Sequence, residues 1–187
     1  MPTTSGKVFF IGSDLQPHWC SGTAVQSPYR NIVATAGHCL LDVEAPAGAL
    51  AKWVFVPGYS EGAAPSGLYV GKQAETHYDF DDIRDHDRDY AFVNVYDGVD
   101  FSAPDVLTNA GKLADNVGGQ GLEGSLGSAW LIRYASDSRI GYLNGITISV
   151  ADTDGDGRYD TGVSPYFDGE SYTVYRYAAA TWTGRIA

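Results

Sequence analysis

Short apolar runs separated by turn signals recur along the first hundred residues of the chain. The runs with strand-like composition span residues 7–11, 23–25, 31–35, 52–56, 68–70 and 90–95. Several of them end at glycine or proline, as at Pro57-Gly58, Gly71 and Asp97-Gly98. Short strands at this spacing are typical of a β-sandwich or a β-barrel.

The second half of the chain has a weaker pattern. Residues 96–127 are rich in Gly, Asp and Asn and are predicted to be mostly loop. Strands are predicted again at 130–134 and 143–150, and a short terminal helix at 171–182 follows the acidic Asp168-Gly169-Glu170. Neither an internal repeat nor a linker divides the chain, so we expect one domain, as its 187 residues allow.

Composition supports an all-β, extracellular protein. The chain has 23 glycines and 13 tyrosines and a formal net charge of −11. An acidic surface argues against nucleic acid and anionic membranes as partners. The acidic run at Asp79, Asp81, Asp82, Asp85 and Asp87 is interpreted as a solvated loop. No apolar run reaches the roughly 18 residues of a membrane span, and residues 1–6 lack the apolar core of a signal peptide. If the protein is secreted, its signal peptide is absent from this chain.

Two segments carry the strongest chemical signal. Residues 20–25 are Cys-Ser-Gly-Thr-Ala-Val, and residues 33–39 are Val-Ala-Thr-Ala-Gly-His-Cys. They combine a strand, a turn of small residues, a histidine and two cysteines 19 positions apart. A lone histidine is most simply a surface or core residue, and two cysteines alone could be buried thiols. The context of His38 favours a functional interpretation.

An aspartate opens the apolar strand predicted at residues 90–95. Asp89 precedes Tyr90-Ala91-Phe92-Val93 and follows His38 by 51 residues. Asp85 and Asp87 are weaker candidates, because neither directly opens the strand. Hydrolysis of a peptide bond by a serine peptidase needs a histidine base, a buried aspartate that orients it and a serine beside backbone N–H groups. His38 and Asp89 occur in the order and at about the spacing of the chymotrypsin arrangement.

These segments resemble the trypsin-like serine peptidases, which have the chymotrypsin fold. Further segments resemble a secreted, actinobacterial-type branch of that family: residues 5–10, 53–59, 67–70, 118–122 and 165–167. The resemblance covers most of the chain in patches. It implies a double six-stranded β-barrel with a short C-terminal helix, a disulfide between Cys20 and Cys39, His38 as general base, Asp89 as its partner, and a polypeptide substrate or ligand bound by a monomer.

The nucleophile motif departs from the family pattern. The family has Gly-Asp-Ser-Gly-Gly-Pro or a variant such as Gly-x-Ser-Gly-Ser-Ala, followed by an apolar strand. Only residues 124–132, Gly-Ser-Leu-Gly-Ser-Ala-Trp-Leu-Ile, fit it. The alignment places Leu126 at the nucleophile position, and leucine has no proton to transfer and cannot form an acyl-enzyme. Ser125 and Ser128 are the alternative nucleophiles if the turn is remodelled.

The spacing to this motif is also short. Leu126 follows Asp89 by 37 residues, where the chymotrypsin arrangement has roughly 90. About fifty residues of the family pattern are thus missing before Gly124, and they would supply strands of the second barrel and one wall of the specificity pocket. We expect the first barrel at residues 1–98, an incomplete second barrel with an exposed edge at 99–170, and the helix and tail at 171–187.

A separate acidic segment has the spacing of a calcium loop. Asp152, Asp154, Asp156 and Asp160 take positions 1, 3, 5 and 9, glycine takes position 6, and Arg158 would offer its carbonyl at position 7. Val163 stands where such loops have a bidentate glutamate, for which Asp168 or Glu170 could substitute. The alternative is a plain acidic turn. Any calcium would be structural, and no cofactor is expected for catalysis.

Three hypotheses remain open on the sequence alone. The chain is a peptidase homologue that keeps His38 and Asp89 but has lost its nucleophile, or an active serine endopeptidase that uses Ser125 or Ser128, or a calcium-stabilised binding module on a peptidase scaffold. Residue 126 separates the first from the second.

Overall fold

The computed structural model describes residues 4–41, 51–103, 106–111, 126–135, 137, 140–157 and 159–186. Its strands are β1 (Ser5–Ile11), β2 (Pro17–Val25), β3 (Ile32–Thr35), β4 (Ala51–Pro57), β5 (Tyr69–Thr76), β6 (Ala91–Val95), β7 (Gly98–Ala103), β8 (Val106–Gly111), β9 (Ala129–Ala135), β10 (Ile140–Ile146), β11 (Ser149–Ala151) and β12 (Thr161–Val163). The helices are α1 (Tyr78–Ile83) and α2 (Gly169–Ala179), with 3-10 turns at Gly37–Cys39 and His86–Arg88.

The first six strands close into a barrel. Each strand pairs antiparallel with its neighbours in the order β1-β2-β3-β6-β5-β4, and β4 returns to β1. β3 and β6 are buried along their whole length, which fits their apolar sequence apart from Thr35 and Asn94. Val8, Ile32, Val33, Phe55 and Val95 fill the interior and are at most 1% exposed. The predicted first barrel is present, and its strands β3 and β6 adjoin His38 and Asp89.

In the second half, the described strands form three separate pairs. They are the pairs β7–β8, β9–β10 and β11–β12. On β9, the alternating side chains Trp130, Ile132 and Tyr134 are 39%, 47% and 44% exposed. Tyr142 on β10 is 65% exposed. The described part of the chain thus confirms the predicted all-β fold class, with one closed barrel and a partial second sheet.

Within residues 96–127, which are predicted to be mostly loop, β7 and β8 form a pair. Two local predictions need correction. The acidic run at 79–87 is not a plain loop, because it forms α1 and the second 3-10 turn around the fully buried Phe80. The terminal helix begins at Gly169 and ends at Ala179, so both ends lie earlier in the chain than predicted. The beginning is set by Asp168, because its carboxylate accepts hydrogen bonds from the amides of Glu170 and Ser171 and caps the N-terminus.

The C-terminal segment is fastened to the barrel by two buried asparagines. Asn94 on β6 donates from Nδ2 to the Ala178 carbonyl at 2.9 Å. Asn31 donates from Nδ2 to the Thr181 carbonyl and to Thr183 Oγ1, both at 3.0 Å. Among the described residues, no helix combines the length and the apolarity needed to cross a membrane.

Candidate active site

The backbone that carries His38 is shaped by a close approach at Gly37. β3 ends at Thr35, and the 3-10 turn that follows places the imidazole at the end of the barrel. A Cβ on residue 37 would lie 2.6 Å from the Phe80 ring and 3.0 Å from Asp89 Oδ1. Glycine is therefore required at 37, because any larger residue would push the turn away from the aspartate.

His38 and Asp89 form a tightly held pair. His38 Nδ1 lies 2.7 Å from Asp89 Oδ2, and the His38 amide donates to Asp89 Oδ1 at 2.8 Å. The Asp89 side chain is 3% exposed and the His38 side chain 21% exposed. A carboxylate accepts only, so the neutral imidazole carries its proton on Nδ1 and presents Nε2 as the acceptor. This is the arrangement of a general base whose orientation is fixed by a buried carboxylate.

The two weaker candidates for the aspartate role have other contacts. Asp85 accepts from the amide of Asp87 and thereby caps the second 3-10 turn. Asp87 Oδ1 accepts from the Tyr166 amide at 3.2 Å. Among the described residues, Asp89 alone is hydrogen bonded to the His38 ring.

The disulfide predicted between Cys20 and Cys39 is confirmed. Its Cα atoms are 6.1 Å apart, and it links β2 to the turn that carries His38. A ring nitrogen of His38 and the two Sγ atoms all lie within 4.8 Å of one another. Both sulfurs are consumed in the disulfide, so this cluster is not a metal site.

The loop before β9 is locked against the same region. The Ser21 amide donates to the Leu126 carbonyl at 2.6 Å, and Ser21 adjoins Cys20 of the disulfide. Gly127 has a φ of +85°, and a Cβ there would lie 2.1 Å from the Ser21 carbonyl oxygen and 2.4 Å from Thr35 Oγ1. Thr35 Oγ1 itself donates to the Ser21 carbonyl at 2.8 Å. Only glycine fits at 127, which fixes the register of residue 126 beside the ends of β2 and β3.

Leu126 occupies that register with an apolar side chain. It is partly buried and packs against the barrel core. His38 Nε2 is buried and has no hydrogen-bond partner among the described residues. The proposed base is thus ready to accept a proton, and the residue aligned with the family's nucleophile has none to give.

Of the two alternative nucleophiles, Ser125 lies outside the described residues, and the hydroxyl of Ser128 is engaged with another residue. Ser128 is 8% exposed, and its Oγ lies 3.0 Å from Thr147 Oγ1, which also accepts a hydrogen bond from Trp130 Nε1. Because its hydroxyl is engaged in this buried group, the geometry does not favour Ser128 as the partner of His38.

Comparison with family models and with curated protein sequences finds no match. Solved structures do match. The protease Anisep from Arthrobacter nicotinovorans is 24% identical with a TM-score of 0.72, and each chain is covered to 96%. The thermostable serine protease AL20 from an extremophilic microorganism is 22% identical with a TM-score of 0.74, with 96% of this chain and 98% of that chain covered.

The chain has the chymotrypsin-like fold. A more distant match, a Glu endopeptidase, is 15% identical with a TM-score of 0.61, and the alignment covers 96% of this chain and 92% of the endopeptidase. At these identities the likeness shows a common fold, and what happens at the site depends on the residues present. On this chymotrypsin-like scaffold the structure shows a His–Asp pair, and no nucleophile is identified among the described residues.

Sequence reasoning missed the residues that hold the site in place. Phe80 lies in the acidic run, where its apolar character was the available signal of burial. Thr35 and Ser21 act through a hydrogen bond between two strands, and the sequence gives no sign of that contact. These three residues fix where the His38 turn and the Leu126 loop sit relative to each other.

The acidic loop between β11 and β12 brings three of its predicted ligands together. One carboxylate oxygen from each of Asp152, Asp154 and Asp156 lies within 4.8 Å of the others, and all three residues are exposed or partly exposed. Hydrogen bonds from the Gly157 and Gly155 amides hold the pKa of Asp152 below its usual value. Asp160 accepts instead from Thr153, and Arg158 lies outside the described residues.

Calcium binding at this loop stays a prediction with a direct test. Millimolar calcium is expected to raise the melting temperature of the wild-type chain by a few degrees, since a ligand at a hundred times its Kd stabilises by about 2.7 kcal/mol. The Asp154→Asn/Asp156→Asn double variant should lose the shift. An equal shift in both proteins, measured by scanning calorimetry with magnesium as the control, would remove the loop from consideration.

Proposed function

We propose that this chain is a non-hydrolytic relative of the serine peptidases that binds polypeptide segments on a chymotrypsin-like scaffold. The proposal rests on the presence of a leucine at position 126. The alignment with the family motif puts it at the nucleophile position, and the Ser21 amide and the close approach at Gly127 support the proposal because they hold its backbone beside β2 and β3.

Chemistry supports the absence of acyl transfer. Covalent catalysis needs an O–H or S–H group that the base can deprotonate, and removal of the serine from a triad leaves only the weak catalysis of the oxyanion hole and of binding. His38 and Asp89 persist with the geometry of an oriented base, yet no hydroxyl from a described residue is hydrogen bonded to Nε2. A water molecule activated by His38 would hydrolyse peptides slowly at best.

The polypeptide ligand is proposed from the scaffold. The solved structures that match over 96% of this chain are named as proteases or an endopeptidase, and their substrates are therefore polypeptides. A disulfide between Cys20 and Cys39 supports an oxidising, extracellular compartment. We propose that the protein acts there as a monomer.

Labelling with a fluorophosphonate probe tests the proposal. The wild-type chain is expected to show no mass increase after incubation with the probe, and no cleavage of reduced, carboxymethylated α-lactalbumin, an unfolded polypeptide. Biolayer interferometry on the same polypeptide should show reversible binding. Chymotrypsin provides the positive control for labelling and cleavage.

The contrary outcomes are specific. A stoichiometric adduct on Ser125 or Ser128, lost in the Ser125→Ala or Ser128→Ala variant, would establish the active serine endopeptidase instead. Absence of binding to the unfolded polypeptide would overturn the proposed ligand and leave the lack of hydrolysis as a separate result.

A further inference from the structure

A cleft of about 500 Å³ lies between the first barrel, β10 and α2, and neither His38 nor Asp89 is among the residues that line it. Volumes of this size are typical of small-molecule sites, which are usually apolar and carry a few placed polar groups. Five aromatic side chains line it: Phe92, Tyr142, Phe167, Tyr172 and Tyr175. Nothing in the catalytic scheme uses this cleft.

The aromatic wall is held rigidly on the barrel side. The Phe92 and Tyr175 rings meet edge to face with centroids 5.6 Å apart, and Tyr172 stacks on Tyr175 at 6.1 Å. Tyr175 donates its hydroxyl to the Gln26 carbonyl at 2.7 Å, which ties α2 to the loop after β2. Phe167 packs edge to face on the buried Tyr90 at 5.6 Å. The wall therefore exists before any ligand arrives.

The mouth of the cleft is formed by residues that can still gain contacts. Tyr142 on β10 is 65% exposed and Tyr172 on α2 is 60% exposed. An aromatic or alkyl group placed between these two tyrosines would cover apolar surface that water now contacts. Burial of such surface contributes a binding free energy of about 25 cal/mol per Å².

Asp168 is the charged residue of the cleft lining, and among the described lining residues there is no lysine, arginine or histidine. A hydrogen bond from the Glu170 amide, together with that from the Ser171 amide, holds the pKa of Asp168 below its usual value. The carboxylate is therefore ionised at neutral pH. Since Asp168 already takes these two amides, they are not open to an anionic ligand, which would otherwise favour a helix N-terminus.

Arg88 neutralises this region only in part. Its guanidinium lies 2.6 Å from Glu170 Oε2, 3.2 Å from Asp87 Oδ2 and 3.9 Å from Asp168 Oδ2. Three carboxylates thus share one positive charge, and Asp168 holds the longest of the three contacts. The whole chain carries a net charge of −11, which adds to the attraction of cations.

We propose that this cleft binds organic cations, meaning ammonium groups attached to an aromatic or alkyl body. The body would lie against Phe92, Phe167 and the tyrosines, and the ammonium would lie between the Asp168 carboxylate and the tyrosine rings. Cations are attracted to the faces of aromatic rings, and more strongly where the pair is shielded from water. A neutral analogue gains the apolar contacts alone, so the site discriminates by charge.

Three probes of nearly equal size test this selectivity in the full chain. They are 2-phenylethylammonium, its neutral counterpart 2-phenylethanol, and the anion 3-phenylpropanoate. Titration followed by ¹H–¹⁵N correlation spectra is expected to shift amides around the cleft, with the cation binding at least about tenfold more tightly than the alcohol and the anion not binding.

Two matched substitutions separate charge from folding. Asp168→Asn keeps the helix cap, because asparagine caps as well as aspartate does, and it should reduce the affinity for the cation to that for the alcohol. Glu61→Gln removes the same charge from the exposed loop between β4 and β5, outside the cleft lining, and should leave the affinity unchanged. Asn144→Trp, an exposed position on the rim, should block both the cation and the alcohol.

Two kinds of result would overturn the proposal. Equal affinities for the cation and the alcohol, or an equal loss in Asp168→Asn and Glu61→Gln, would make the cleft a merely apolar cavity. Shifts confined to other parts of the chain, or no shifts with any probe, would show that the cleft is not a binding site.

Discussion

A Leu126→Ser variant is expected to react with a fluorophosphonate probe and to carry the adduct at residue 126, whereas the wild-type chain stays unlabelled. The reason is that the His38–Asp89 pair is in place. Asp89 holds Nδ1 of His38 at 2.7 Å, and Nε2 is buried and has no partner among the described residues. A serine hydroxyl in the locked register of residue 126 would supply the missing proton donor.

The expected size of this effect is large. A positioned general base contributes about 10²- to 10⁴-fold to the rate, so labelling of Leu126→Ser should exceed wild-type labelling by at least about 10². Intact-mass spectrometry over a time course measures it, and peptide mapping locates the adduct. Loss of the leucine side chain removes packing against the core, so circular dichroism must show that the variant is folded.

Two controls make the result specific to the proposed geometry. The Leu126→Ala variant has the same loss of packing without the hydroxyl and should not label. The Leu126→Ser/His38→Ala variant should lose most of the gain, because the base is gone. A folded Leu126→Ser protein that resists the probe would show that residue 126 does not lie in the nucleophile position.

Removal of the disulfide is expected to cost about 3 kcal/mol of unfolding free energy. Cys20 and Cys39 close a loop of 19 residues, and the chain-entropy estimate for a loop of that length is about 3 kcal/mol. The Cys20→Ala/Cys39→Ala variant measures this without free thiols. Urea unfolding, followed by tryptophan fluorescence at constant m-value, gives the difference.

The same disulfide also joins the two halves of the site. It ties Cys20, next to the Ser21 amide that holds Leu126, to Cys39, next to His38. In the Leu126→Ser background, reduction is therefore expected to slow fluorophosphonate labelling even at temperatures where the protein stays folded. A stability loss under about 1 kcal/mol, with unchanged labelling after reduction, would show that the barrel alone holds both elements.

The sequence predicted those parts of the site that are encoded locally. The small-residue turn before His38, the cysteine after it and the aspartate that opens an apolar strand are each readable within a few residues, and the structure brings His38 and Asp89 together. The departure at Leu126 was also visible, because Gly127, Ser128 and the following strand preserve the register.

The parts that could not be predicted depend on contacts between distant segments. Phe80 is buried because it packs on Gly37, and the acidic residues around it hide that role. β7 and β8 are rich in residues typical of loops, yet they pair with each other because each supplies the other's backbone partners. The direction of the Ser128 hydroxyl is set by Thr147, which lies 19 residues further along the chain.

The closure of the first barrel has a consequence for how this protein could have changed over time. His38, Asp89 and the disulfide all lie on or next to a barrel whose six strands leave no open edge, and Ile146, Val174 and Ala178 from the second half share its buried core. Selection for a stable barrel would therefore keep His38 and Asp89 in place whether or not a nucleophile stands opposite them.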